Sequence, residues 1–144
     1  MFSKACEYGI KATIFIIKNS IEGKRSNVNE ISKEIDSPIS FTAKILQKLV
    51  KANVIFSTKG AYGGFEMSDE NIRTLNLLRI VSVIDGDDLL SSCVLGLSKC
   101  SGANPCPLHQ QYTVLRQNLI NILNNTSLMD LANSLNAKQG FLKN

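Results

Sequence analysis

Residues 93–109, CVLGLSKCSGANPCPLH, hold three of the chain's four cysteines and its only histidine. Cys93 and Cys100 are separated by six residues, Cys100 and Cys106 by five, and Cys106 and His109 by two. Thiolates select soft centres: zinc, cuprous copper or iron–sulfur. Cys106 and His109, three apart at the predicted start of a helix, can face one point. Gly96, Ser98, Ser101, Gly102 and Asn104 make the intervening loop pliable enough to wrap an ion or a cluster. Three cysteines and one histidine suit a tetrahedral zinc. Three thiolates and a weaker fourth ligand equally suit an iron–sulfur cluster. Residue chemistry alone leaves both open, beside a bare set of buried or reactive thiols.

A lasting disulfide framework fits less well. The first nineteen residues, MFSKACEYGIKATIFIIKN, carry Glu7 and Lys11 inside an apolar pattern and lack a small-residue cleavage site. They read as an amphipathic helix and not a signal peptide. The expected compartment is the cytoplasm, where disulfides are rare. No apolar run approaches the ~20 residues of a membrane span. A thiol or metal enzyme is disfavoured too, because the loop has no second histidine to act as a base and no carboxylates clustered nearby.

The elements around the loop say what it serves. The chain has 144 residues, 44% hydrophobic and 19% charged, enough to build a core without staples. Residues 1–60 contain ten Lys/Arg against five Asp/Glu, and residues 61–144 six against seven. A basic first half before a nearly neutral second half suits a polyanion-binding module followed by something else.

Residues 2–19 show helical periodicity, with Ile10, Ile14, Phe15 and Ile17 opposite Lys4, Lys11 and Lys18. Asn27 and Glu30 read as a capping box opening a short helix with Val28, Ile31 and Ile35 inward. Pro38 breaks it. A third helix is expected from about Phe41 to Lys51, with Asn53 suited to the left-handed position that ends it. Residues 54–58 and 65–67 favour strands around the turn Gly60-Ala61-Tyr62-Gly63-Gly64. Three helices and a hairpin in this order describe a winged helix-turn-helix.

Beyond it, residues 70–85 read as one helix. A long helix is expected from Pro105, and its stripe of Leu108, Tyr112, Leu115, Leu119 and Ile122 is the narrow seam of a helix pair. Residues 127–135 read as a last short helix capped by Thr126 or Ser127, and the tail from Asn136 as frayed. The expected fold is therefore mainly α with a small β-hairpin wing, a winged helix-turn-helix plus a long dimerisation helix. Its parts are a DNA-binding domain over 1–85, a cysteine-rich loop over 86–106, and a dimerisation segment over 107–144.

In such a module the third helix enters the major groove and reads base edges from its first turns. The candidates are Pro38 at its entrance and Ser40, Thr42 and Lys44 on it. Lys59 and Tyr62 at the wing tip could enter an adjacent minor groove.

With these motifs in order, the chain resembles the Rrf-type bacterial winged-helix transcription regulators, which include IscR-like and NsrR-like iron–sulfur sensors. SKACEYGIKA resembles their opening helix, SPISFTAKILQKLVKANVI their recognition helix and STKGAYGGFEMS their wing. LLRIVSVIDGD and the three-cysteine loop before a long helix follow in the same order. The resemblance implies a homodimer on a partly palindromic double-stranded operator, responding to the state of an iron–sulfur cluster. Cys93, Cys100 and Cys106 fall where the cluster cysteines fall. His109 matches the IscR-like two-iron arrangement, so a 2Fe-2S cluster is favoured and 4Fe-4S is possible, with zinc as the alternative metal. Glu7 occupies the place where NsrR-like proteins use a first-helix carboxylate. Lys59 stands where the family has a wing arginine, and Ala61-Tyr62 where Pro-Gly is frequent, so an operator sequence is not carried over.

Overall fold

The structure, a computed structural model, describes residues 1–136 together with 142 and 143. Helix α1 (Lys4–Ile21) starts at Ser3, whose hydroxyl accepts the Cys6 N–H at 3.0 Å. Helix α2 (Val28–Glu34) has the expected capping box: Asn27 accepts from the Glu30 N–H, and Glu30 accepts from the Asn27 N–H. Helix α3 (Ile39–Lys51) ends with Asn53 at φ +57, its N–H on the Val50 carbonyl and the next N–H on that of Leu49. The same left-handed ending closes α2 at Asp36.

Strands β1 (Phe56–Thr58) and β2 (Gly64–Glu66) pair antiparallel, with Phe56 opposite Glu66 and Thr58 opposite Gly64. Ser26, in the turn after α1, pairs with Phe65 on the other side of β2. Gly64 is required there: its φ is +140, and a Cβ would stand 2.8 Å from the Ser26 carbonyl.

Helix α1 is the axis of the core. Its Ala12, Ile16 and Ile17 are fully buried, as are Leu46 and Leu49 of α3. Each of these isoleucines and leucines contributes roughly 1.5–3 kcal/mol by leaving water. The fold is thus mainly helical with a two-stranded wing, as expected.

Three boundaries differ from expectation. The recognition helix begins at Ile39, two residues earlier than Phe41, because Pro38 sits outside its first turn with an extended backbone. Residues 70–85 form two helices, α4 (Asp69–Thr74) and α5 (Leu77–Asp85). Asn76 breaks them by capping α5 through the Arg79 N–H, and it forms a bridge with Ser127. After α6 (Asp88–Ser91), the long helix α7 (His109–Asn125) starts four residues later than Pro105. Ser127 caps α8 (Leu128–Asn136), accepting from Asp130. Helix α8 returns to pack on α1 and α4, burying Leu128 and Ala132. Of the expected frayed tail, 137–141 and 144 lie outside the described residues, while Asn136 ends α8 and Leu142 is buried in the core. No described helix is long and apolar enough to cross a membrane.

Candidate metal centre and nucleic-acid interface

Gly86, at φ +75, turns the chain out of α5 into α6 and the cysteine loop. Short backbone turns fold that loop on itself: the Gly96 N–H reaches the Cys93 carbonyl, Cys100 that of Leu97, and His109 that of Cys106. These turns bring the sulfurs of Cys93, Cys100 and Cys106 within 4.8 Å of one another. Cys93 and Cys106 stand 3.7 Å apart. His109 begins α7 with Nδ1 3.2 Å from the Cys100 sulfur, but it does not lie within 4.8 Å of all three.

The three thiols fit a thiolate-bound centre. Tetrahedral metal–sulfur bonds of about 2.3 Å place two sulfurs about 3.8 Å apart, close to the Cys93–Cys106 distance. A disulfide needs about 2.05 Å, and all four cysteines are unbridged.

Their protons are unevenly held. The Leu97 N–H, helped by that of Leu95 and by the other two thiols, lowers Cys93 to about 7 against the opposing effect of burial. For Cys100 the Cys106 N–H pulls downward, at 3.4 Å from its sulfur, but burial and the neighbouring Cys106 and Cys93 raise it overall. A metal centre would displace the protons that remain.

Glu7 stands apart from this group. It is half-exposed in the first turn of α1, 2.8 Å from Lys4, whose hydrogen bond lowers its carboxyl below the usual range. Within one chain, then, the loop assembles three thiols and one imidazole, and Glu7 faces elsewhere. Cys6 is fully buried in α1 beside Asp85.

One residue that sequence reading missed braces the loop. Arg116 of α7 donates from Nη2 to the carbonyl of Ser92, directly before Cys93, and its guanidinium lies 5.2 Å from the Tyr112 ring centre. Only the i, i+4 spacing of Tyr112 and Arg116 hinted at it. Part of the seam of α7 is uncovered: Leu108, Leu115 and Ile122 are exposed, with Val114 beside them, while Tyr112 is half-buried and Leu119 packs against the core.

The groove-reading candidates separate into two sets. Pro38, Ser40 and Lys44 are exposed at the start of α3, and Lys59 and Tyr62 are exposed at the wing tip. Thr42 is a correction. It is fully buried, and its hydroxyl donates to the Pro38 carbonyl at 3.0 Å, so it stiffens the first turn and presents nothing to a groove. Thr42 stands three and four residues before the buried Ile45 and Leu46 and shares their inward face, while Ile39 in the first turn is exposed, at 53%. That spacing was the available signal.

Comparison with known proteins agrees with this geometry. A chain of Aquifex aeolicus whose name places it among HTH-type transcriptional regulators is 28% identical over 135 residues, covering 92% of each chain. IscR of Pectobacterium atrosepticum, also an HTH-type transcriptional regulator, is 24% identical over 127 residues, 88% of this chain and 76% of its own. Among solved structures, CymR, the global cysteine regulator of Bacillus subtilis, superposes with a TM-score of 0.77 at 21% identity, covering 93% of this chain and 97% of its own. The family of iron-dependent transcriptional regulators called Rrf2 matches residues 2–134, so the hairpin wing, the short capped helices and the cysteine loop are those of a transcriptional regulator, and the chain belongs to the Rrf2 family.

Proposed function

We propose that this regulator binds its operator according to the state of an iron–sulfur cluster held by Cys93, Cys100 and Cys106. The convergence of those three sulfurs within 4.8 Å is the observation that carries the reading. His109 is the proposed fourth ligand because it adjoins Cys100. Glu7 is the alternative, supplied from the other subunit of a homodimer. The favoured cluster is 2Fe-2S, and 4Fe-4S is the larger option. Such a cluster supplies a centre that reacts with nitric oxide and oxidants.

The chain's own residues do the rest. With its thiols drawn together, the loop keeps Ser92 against Arg116 and leaves Gly86 in one conformation. With the thiols released, that tie loosens, and the end of α5 keeps only its contacts to α1 and α3. Pro38, Ser40 and Lys44 lie on the surface that then shifts, and Lys59 and Tyr62 extend it into the neighbouring groove. The exposed seam of α7 pairs two copies on a partly palindromic site. In this reading 1–85 is the DNA-binding part, 86–106 the sensor and 107–144 the dimer segment, with α8 lending its packing to the first.

The 3.7 Å between Cys93 and Cys106 supports a second reading, a structural zinc or a thiol switch on the same DNA-binding module. An anaerobic absorption spectrum with iron, sulfide and zinc analysis separates the two, followed by operator binding before and after nitric oxide. Coloured, iron-containing protein whose affinity changes supports the cluster sensor. Colourless protein with one zinc per chain and unchanged binding overturns it.

A further inference from the structure

We propose that Arg25 is a positioning residue for the wing: from the turn between α1 and α2, its guanidinium holds the wing tip where Lys59 and Tyr62 meet DNA. The inference rests on the DNA-binding reading of the wing and adds to it a residue that touches no groove.

The wing's ties to the body lie on β2 and just after it. Ser26 and Phe65 exchange backbone hydrogen bonds of 3.0 and 2.8 Å, and the Met67 N–H donates to the Ser20 hydroxyl at 2.9 Å. The whole hairpin is three residue pairs long, with Phe65 in its middle pair, and is too short to hold its own tip in place. An open polar cleft separates the tip from the α1–α2 turn, lined by Lys24, Asn27, Glu30, Tyr62 and Glu66 as well as Arg25. Arg25 crosses this cleft. Its Nε lies 3.3 Å from Glu66 Oε1 on the returning strand, and its Nη1 donates to the Tyr62 carbonyl at the tip, also at 3.3 Å.

One planar fork thus engages two acceptors on two parts of the wing, which an ammonium on a flexible stem cannot do together. Because the contact is to the Tyr62 backbone, the ring stays 92% exposed and Lys59 points outward. A tip set in place before binding avoids the ordering loss that a swinging hairpin would suffer on meeting DNA.

The charge of Glu66 makes the test sharp. Removing an acid from a DNA-facing wing should tighten binding by simple electrostatics. If Glu66 anchors Arg25, Glu66→Gln loosens the tip and weakens binding instead. The probe is a duplex selected from a random-sequence pool by the full-length wild-type protein, with thermal melting to show each variant folded. We expect Glu66→Gln and Arg25→Gln each to weaken binding by about three- to tenfold, and the double variant to be no weaker than either, as for residues acting through one contact. Arg25→Lys, which keeps the charge, stays weakened. Amide exchange over residues 59–64 of DNA-free Glu66→Gln is faster than in the wild type.

Equal or tighter binding by Glu66→Gln overturns the proposal, as does unchanged exchange at the tip. So does an Arg25→Gln defect that Arg25→Lys restores, with a salt slope reduced by about 0.9, since that marks a direct phosphate contact. If the wild type selects no duplex, the DNA-binding reading fails instead.

Discussion

Lys48, in the last turn of α3, donates to the carbonyl of Ile84 in the last turn of α5, at 3.4 Å. The next residue, Asp85, accepts the Ser3 N–H at 3.0 Å at the start of α1, and Gly86 then leads into the cysteine loop. One helix end therefore joins α3, α1 and the cysteine loop.

Replacing Lys48 by Met should test that junction. Loss of one hydrogen bond to a helix-terminal carbonyl costs about 0.5–1.5 kcal/mol, measurable by urea unfolding. The ratio of operator affinities between cofactor-loaded and cofactor-free protein should also fall towards one. An unchanged ratio would place the coupling elsewhere.

Cys100→Ala should abolish cofactor binding while leaving a folded dimer, because Cys100 lies within reach of both Cys106 and His109 but outside the core. Iron and sulfide content and size-exclusion chromatography check it. His109→Ala should alter the visible spectrum and Glu7→Gln should not. The reverse result would assign the fourth ligand to α1.

Cys6 makes stability depend on alkaline pH. Burial, then the Asp85 carboxylate, raises its thiol from 9.0 to about 12. Below pH 9 the thiol is protonated in both folded and unfolded chains, and its contribution is fully present. As pH rises from 9 towards 12 the unfolded chain loses that proton first, so stability falls by up to about 1.4 kcal/mol per pH unit. Urea midpoints between pH 8 and 10.5 should decline more steeply for the wild type than for Cys6→Ala. Parallel declines would show that Cys6 ionises where it stands.

Gly9 lies where the first helix meets α3 and α5. A Cβ there would collide with Ile84 Cδ1 and lie 3.3 Å from Ile45 Cγ2. Gly9→Ala should destabilise by about 1–3 kcal/mol through overpacking. Ile84→Val removes the colliding methyl, so the double variant should be more stable than the sum of the single effects predicts. Strict additivity in thermal unfolding would argue that α1 simply shifts aside.

The parts of this protein legible in its sequence are those whose causes lie within a few residues. The Asn27–Glu30 capping box, the left-handed Asn53 and the glycine turn of the wing are local bargains between side chain and backbone, and each occurs where its residues indicate. The four soft ligands were legible for the same reason, since they share seventeen residues.

What the sequence left undecided depends on contacts across the chain. Asn76 splits an apparently continuous helix because Ser127, fifty-one residues later, pairs with it. Arg25 meets Glu66, and Lys48 meets Ile84, only after three helices have closed on one core. Sequence by itself determined most of the elements and which candidate ligand side chains lie together. Tertiary structure alone decided which faces those elements show and which distant side chains meet, because burial and hydrogen bonding across the fold outweigh local preference.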